Sequence, residues 1–436
     1  MKLRNQILAL VCLLVFIGFG VLFFKTWVAQ KKPFAVILFV TDGLSTNTLT
    51  ATRLYQGGAG ERLNVESFPH LALLRNSAND YAVPDEAAAA TAIATGVKGN
   101  NRAIALDPAG KPLASLLTLA HNLKRSTGIV TTGNLTDATP AAFYAHATDA
   151  KEAQAIADQF LGSGVVDIAL GGGMAQFTPE SKGGQRKDGR DLWLELRSKG
   201  YALARTKAEL ENTPVFLTGP LVGIFSEGNL AFSSQMESGS QQPSLSDMVR
   251  RAIEFLQVNP LGYLLVVDAA LVSRAAETNN GERVLSETAA FDRAVATARE
   301  YAGENTLILC VGKNDIGGLV LNGYPLRGDH GVALLGTNAA GYPSLTWSTG
   351  PNGPQTGATT SAVTPEAPAP ANNGTPTVNR EPAAFAAPKA LGTARDMIAV
   401  GAGPGSERLS GFLENTEIYK IIRNVMEGNE NGDAKK

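Results

Sequence analysis

Five short apolar segments alternate along the chain with longer segments of helical periodicity. The apolar segments are rich in β-branched residues and lack polar alternation, a pattern typical of strands buried on both faces. They lie at residues 33–40, 126–132, 165–170, 263–267 and 306–311. The helical patterns lie at residues 113–123, 151–161, 188–198, 244–256, 283–301 and 416–426. This alternation predicts an α/β fold with a doubly wound, mostly parallel central sheet and helices on both faces.

Polar residues directly follow several of the predicted strands. Asp42 follows the first strand, residues 136–139 the second, Asp268 the fourth, and Lys313 with Asn314 the fifth. Because ligands of such folds bind beyond the carboxyl ends of the strands, we expect these residues to converge there. An acid at a strand end is as often a turn or cap residue, so Asp42 has two interpretations at this point.

The stretch 83–96, VPDEAAAATAIATG, predicts a helix whose N-terminus joins this edge of the sheet. Asp85 and Glu86 precede four alanines, and carboxylates are favoured where the helix N-terminus is electropositive. One interpretation is an Ala-rich helix packed closely on the sheet, with acids only as N-terminal residues. The other is that Glu86 faces a ligand site at the mouth of the helix.

The N-terminal region predicts a membrane anchor. Residues 7–24 are apolar and uncharged, and lysine or arginine flanks the run on both sides. This length favours an uncleaved transmembrane helix within residues 1–32, with a cleaved signal peptide as the alternative. We expect the domain that follows, residues 33–426, to lie on the extracytoplasmic side, either periplasmic or extracellular.

Two further segments differ from the rest in composition. Residues 350–389 are rich in Pro, Ala, Thr, Asn and Gly without an apolar period, which predicts a disordered or weakly ordered excursion from the domain. Residues 427–436 form a polar tail.

Charge and side-chain chemistry exclude some classes of function. The net charge of −2 gives no indication of nucleic-acid binding, and the two cysteines do not indicate a disulfide framework. Four histidines are few for a zinc enzyme in a chain of 436 residues. We interpret His146 as structural and the other three as surface or packing residues, at positions 70, 121 and 330.

Five segments, in this order, resemble the alkaline phosphatase family. They are FVTDG (39–43), VPDEAAAATAIATGVKGNNRAIALD (83–107), DATPAAFYAHATD (137–149), DIALGGGMAQFTP (167–179) and IAVGAGPGSERLSGFLENTEIY (398–419). The resemblance extends over roughly residues 34 to 426. It implies the family's fold, phosphate monoester hydrolysis through a serine nucleophile, two zinc ions and one magnesium ion, and it is compatible with a homodimer.

The resemblance implies that Glu86 occupies the position of the family's nucleophilic serine. An ionised glutamate there would repel a phosphate dianion. Asp42, Thr139 and Asp268 match the magnesium side of the family's site. They imply at most one residual magnesium-type site with oxygen ligands.

At the positions of the family's phosphate-binding arginine and zinc ligands, this chain lacks the residue types that the family's chemistry requires. Ala150 corresponds to the phosphate-binding arginine. The positions of the zinc ligands are occupied by Ser273, Glu277, Lys313, Asn314 and Gly392. Zinc is therefore not expected. Lys313 could instead place its ammonium in the vacated zinc volume and pair with Asp42 or Glu86.

Three hypotheses of function remain open from the sequence. The first is a membrane-anchored pseudo-phosphatase that binds or scaffolds an unknown protein partner or small ligand. The second is a hydrolase of altered chemistry, with Glu86 as nucleophile or base and a single magnesium ion at Asp42, Thr139 and Asp268. The third is a structural domain whose former pocket is filled.

Overall fold

The structure is a computed structural model of the chain. It describes residues 2–23, 32–216, 219–236, 239–322, 336, 343–354 and 381–428. His330, most of the predicted excursion (355–380) and most of the predicted tail (429–436) lie outside the described residues.

A central sheet of ten strands organises the described part of the chain, in the order β15-β2-β14-β8-β1-β7-β3-β4-β6-β5. The strands are β1 Ala35–Thr41, β2 His70–Arg75, β3 Ser126–Asn134, β4 Ile168–Gly172, β5 Ala202–Ala204, β6 Leu221–Ile224, β7 Tyr263–Asp268, β8 Thr306–Gly312, β9 Asp315–Ile316, β10 Val320–Leu321, β11 Leu345–Gly350, β12 Ala383–Ala386, β13 Gly392–Thr393, β14 Met397–Ala402 and β15 Phe412–Glu414. The strand β1 lies between β7 and β8 and is parallel to both. Strand β14 is antiparallel to its neighbours β8 and β2. The sheet is therefore mostly parallel, as predicted.

Helices cover both faces of this sheet, and each face has its own apolar core. The helices are α1 Lys2–Phe23, α2 Thr46–Gly57, α3 Glu86–Thr95, α4 Leu116–Asn122, α5 Ala138–Ala141, α6 Ala153–Ser163, α7 Leu192–Ser198, α8 Lys207–Asn212, α9 Leu245–Leu256, α10 Ala270–Ala276, α11 Gly281–Ala302 and α12 Glu417–Met426. The five predicted strands form as β1, β3, β4, β7 and β8. The six helical patterns form as α4, α6, α7, α9, α11 and α12.

The Ala-rich helix α3 packs closely in the core, as one interpretation of its sequence predicted. Every residue from Ala87 to Thr95 is buried, because small side chains let the helix lie against its neighbours. Gly96 ends the helix with φ of +74°, a left-handed conformation that favours glycine.

The apolar N-terminal run forms helix α1, but its prediction as a membrane-spanning anchor over 7–24 is not supported. Among the described residues, no helix has both the length and the apolar character needed to cross a membrane.

The described ends of the predicted excursion at 350–389 are ordered. Strand β12 pairs in parallel with β11, with Trp347 opposite Ala383. The Glu381 carboxylate accepts hydrogen bonds from the indole N–H of Trp347 at 3.0 Å and from the backbone N–H of Gly281 at 2.8 Å. Composition alone does not reveal these contacts, because they join segments that are distant in the sequence.

Candidate functional site

The predicted convergence at the carboxyl edge of the sheet is present. In the strand register, Val40 lies opposite Asp268, and Thr41 lies opposite Gly312. Asp42, Asp268 and Lys313 therefore emerge side by side from three adjacent strands. The N-terminus of α3 brings Glu86 to the same place, where Thr139 of α5 donates a hydrogen bond to its carboxylate at 3.1 Å.

Lys313 lies at the centre of this cluster. Its ammonium donates to Oδ2 of Asp42 at 2.5 Å and lies 3.6 Å from Oε1 of Glu86. The Lys313 side chain is fully buried. Burial alone would lower the pKa of this ammonium, but the carboxylates of Asp42 and Glu86 outweigh burial and raise it. The neighbouring carboxylates therefore favour the charged form of this buried ammonium.

The two strand-end aspartates differ in their surroundings. Burial raises the pKa of Asp42, and Lys313 opposes this rise. Burial raises the pKa of Asp268 to about 7, again against the pull of Lys313, while Thr131 donates to its Oδ2 at 2.8 Å. In both residues Oδ1 is buried without a hydrogen-bond partner among the described residues.

Glu86 remains ionised although it is largely buried, with 22 % of its side chain exposed. Burial favours a raised pKa, but Lys313 and Arg274 together outweigh it and lower the pKa of the carboxyl. Arg274 lies 3.6 Å from Glu86 and pairs with Asp137 at 3.1 Å and Glu277 at 3.0 Å. This guanidinium thus serves three carboxylates at the mouth of the site.

The sequence did not reveal the role of Arg274, although Ser273 directly before it corresponds to a zinc-ligand position of the family. The available signal was charge balance, since Glu86, Asp137 and Glu277 at one strand edge require a nearby cation. Burial raises the pKa of Asp137, and Arg274 acts against that rise. The pairing could not be assigned from sequence because it joins α3, α5 and α10.

The N-terminus of α3 already has a carboxylate partner. Asp85 accepts hydrogen bonds from the backbone N–H of Ala88 at 2.9 Å and of Arg102 at 2.6 Å. This cap satisfies a free N–H group that would otherwise be available to an anion. It leaves the helix end less able to hold phosphate.

The other residues at the predicted zinc-ligand positions also lie around this cluster. Ser273 lies close enough to Asp42 to lower the pKa of that carboxyl, and Glu277 is held by Arg274 and by Lys389, the latter at 2.8 Å. Gly392 lies beside Asn314, since a Cβ built on Gly392 would be 3.7 Å from Oδ1 of Asn314.

Ala150 has no side-chain group that could bind phosphate. Its backbone N–H donates to the carbonyl of Arg102 at 2.8 Å, and the guanidinium of Arg102 pairs with Asp149. The nearby arginine is therefore engaged by an acid and does not take the place of the missing one.

These residues do not fit a zinc pair. The ammonium of Lys313 already donates to Oδ2 of Asp42, and Ser273, Asn314 and Gly392 offer neither an imidazole nor a carboxylate. In the described part of the chain, no group of three or more His, Cys, Asp or Glu is arranged to hold a metal ion. Among the described residues, Oδ1 of Asp42 and Oδ1 of Asp268 are buried without a hydrogen-bond partner, and oxygen atoms of this kind are suitable ligands for a hard cation.

The fold and the strand-end carboxylates define a protein of the alkaline phosphatase-like α/β class. The chain belongs to the alkaline phosphatase family, whose model matches residues 34–427. A solved structure of similar fold is the alkaline phosphatase from the Antarctic bacterium TAB5. It has a TM-score of 0.70 and 23 % identity, and the match covers 91 % of this chain and 98 % of that one. Another structure of the TAB5 enzyme is a variant with Mg bound in its M3 site.

Curated relatives include alkaline phosphatase 4 of Bacillus subtilis, 31 % identical over 313 residues. That match covers 69 % of this chain and 65 % of the Bacillus protein, just under two thirds of its length. The human tissue-nonspecific isozyme is 28 % identical over 367 residues, which cover 72 % of this chain and 70 % of the human protein. These similarities establish the family and leave the activity of this chain to be argued from its own site.

Proposed function

We propose that this protein is a pseudo-phosphatase, which uses the family's fold to bind or scaffold a partner or small ligand and does not hydrolyse phosphate monoesters. One observation carries the proposal: the Lys313 ammonium pairs with Asp42 at 2.5 Å and lies 3.6 Å from Glu86. The positive charge of Lys313 is fixed on a side chain and compensates part of the negative charge of the carboxylates. It offers no open coordination position at which a phosphate oxygen or an attacking nucleophile could bind.

The residues around Lys313 support the same proposal. Phosphate monoester hydrolysis requires stabilisation of negative charge on the transferred group. Glu86 brings a carboxylate to the nucleophile station, and repulsion between it and a phosphate dianion would oppose binding. Ala150 cannot supply the bidentate grip of an arginine.

An assay with p-nitrophenyl phosphate, in the presence of zinc and magnesium, tests this proposal. We expect no turnover above the buffer control by the full chain, and none by Glu86→Ser, because Lys313 and Ala150 remain. Circular dichroism establishes that both proteins are folded. Turnover by the unsubstituted chain that Asp42→Ala abolishes would refute the proposal.

A hydrolase with one magnesium ion is the second candidate. The unpartnered Oδ1 atoms of Asp42 and Asp268 favour it, and carboxylate nucleophiles such as Glu86 have precedent. Against it, the Thr139 hydroxyl is already donated to Glu86. The same assay separates the candidates, since turnover that depends on magnesium alone would favour this one.

Location and assembly remain proposals of the same kind. The apolar run at the N-terminus supports a membrane-associated protein with its domain on the extracytoplasmic side. A homodimer and the absence of nucleic-acid binding rest on the family resemblance and on the net charge of −2.

A further inference from the structure

A cluster of exposed apolar side chains lies where the strands begin, at the opposite end of the sheet from the candidate site. We define this amino-end face by Leu123, Phe216, Val258 and Leu261, which are 36 %, 79 %, 45 % and 56 % exposed. We propose that the amino-end face rests on a lipid surface and that the candidate site consequently faces away from it. This inference deepens the proposed membrane association, and it does not depend on whether the protein hydrolyses phosphate esters.

The four side chains lie on neighbouring segments, which Asn259 connects by hydrogen bonds to the carbonyl of Lys124 and from the N–H of Leu261. Phe216 and Val258 line the same open groove, together with Ser126 at the start of β3. The Asn259 side chain donates to the carbonyl of Lys124 at 2.9 Å, which joins this groove to the neighbouring Leu123. Single exposed apolar residues are common on protein surfaces, whereas a grouped set rimming a groove indicates a contact surface.

The chain enters the domain beside Leu261. The adjacent Gly262 has φ of +93°, and a Cβ there would lie 2.0 Å from the carbonyl oxygen of Phe34. The guanidinium of Arg125 stacks over the Phe34 ring at 4.8 Å. The residue that begins the folded domain is therefore packed against the loop that carries Leu261.

Helix α1 is tied to the same end of the molecule. Residues 24–31 separate it from Lys32, a distance of at most roughly 30 Å for an extended chain. The large apolar side chains described between positions 7 and 19 are exposed, including Leu10, Leu14 and Phe16. A helix without a polar face needs an apolar environment all round it, and a lipid layer can supply one.

A lipid surface accounts for both features better than a protein partner does. A second copy of this chain, docked at the amino-end face, would cover one side of α1 and leave the others in water. Lipid would surround α1 and also meet Leu261 and Val258, which lie within reach of it. The proposal requires contact with lipid and does not require a helix that crosses the layer.

The topology fixes the orientation that follows. Strand β1 runs from Ala35 at the amino-end face to Thr41, directly before Asp42 of the site. At about 3.3 Å per residue, the site stands on the order of 20 Å above this face. Glu86 and Arg274 would then face the aqueous phase.

Quenching by brominated lipid tests the proposal on the full chain. The chain is reconstituted in vesicles of phosphatidylcholine and phosphatidylglycerol, in a Cys12→Ser background that leaves only the buried Cys310. A bimane label is attached through Leu261→Cys or, as the matched control, through Phe412→Cys. Phe412 is 66 % exposed and lies on β15, the edge strand near the carboxyl side of the sheet.

We expect acyl-chain bromination to quench the label at position 261 about twofold and to leave the label at position 412 unchanged, since a surface-bound group lies within about 5–10 Å of the headgroup boundary. Equal emission with and without bromine at position 261 would overturn the proposal. So would equal quenching at both positions. The protein is also examined in detergent. If sedimentation shows a dimer there and the label at position 261 is shielded from solvent, the amino-end face binds a second copy of the chain and not lipid. Circular dichroism of each labelled variant establishes that it is folded.

Discussion

Replacement of the buried lysine, Lys313→Met, is expected to lower the free energy of unfolding by about 3–5 kcal/mol. Methionine fills a similar volume but removes the only cation within bonding distance of Asp42 among the described residues, which leaves that carboxylate buried without a counter-charge. Glu86 and Asp268 lose part of their compensation as well. Urea unfolding followed by circular dichroism measures the change.

Lys389→Met provides the matched control for this substitution. Lys389 also pairs with an acid, Glu277, at 2.8 Å, but its side chain is 71 % exposed. Water already solvates this pair, so we expect a loss below about 1 kcal/mol. Equal losses in the two variants would show that Lys313 does not act as a buried counter-charge.

Neutralising the partner refines the comparison. Asp42→Asn combined with Lys313→Met removes both charges, and it should be more stable than the sum of the two single losses predicts. The excess measures the interaction between the ammonium and the carboxylate. It separates that interaction from the loss of packing.

The second large effect is a pH dependence of stability that originates in Asp268. Burial raises the folded-state pKa of this carboxyl to about 7, against a value of 3.8 for an unperturbed aspartate. The folded state therefore binds the proton more tightly than the unfolded state does. The resulting stability is present in full below about pH 4, falls as the pH rises, and is lost above about pH 7.

The comparison with Asp268→Asn isolates this effect from the other buried acids. Asparagine resembles the protonated aspartate, and its carbonyl oxygen can still accept the hydrogen bond from Thr131. We expect the stability of the unsubstituted chain, relative to this variant, to decrease by about 4 kcal/mol between pH 4 and pH 7, at about 1.4 kcal/mol per unit. A difference that does not change with pH in urea titrations would exclude a raised pKa for Asp268.

The central part of the fold could be predicted from local pattern. Strands β1, β7 and β8 are buried and mostly apolar, and a charged residue lies at or directly after the end of each one: Asp42, Asp268 and Lys313. Parallel pairing of such strands brings Asp42, Asp268 and Lys313 together, because the carboxyl ends of neighbouring strands share one edge. The site's location therefore follows from the sequence.

Other parts depend on contacts that no local pattern records. Strand β14 joins the sheet antiparallel to β8, and β12 pairs with β11 across residues 355–380. The role of Arg274 as a counter-charge is apparent only in the folded structure, where α10 places it between Glu86 and Asp137. Such pairings are set by tertiary packing, which periodicity and composition do not encode.

Under the proposed function, Lys313 accounts for how the alkaline phosphatase fold would be stable without zinc ions. A cluster of carboxylates at the sheet edge is stable only with a cation among them, since unpaired buried charge is costly. In this chain the ammonium of Lys313 and the guanidinium of Arg274 supply that positive charge from within the protein. The proposed function thus combines a retained fold with the loss of the open coordination positions that hydrolysis needs.

A zinc soak of crystals, measured at the zinc absorption edge, tests this account most directly. We predict no anomalous peak within about 2.2 Å of the Asp42 carboxylate, the usual zinc–oxygen distance, and a Lys313 ammonium still hydrogen-bonded to Asp42. A zinc ion bound to Asp42, with the Lys313 side chain displaced, would contradict it.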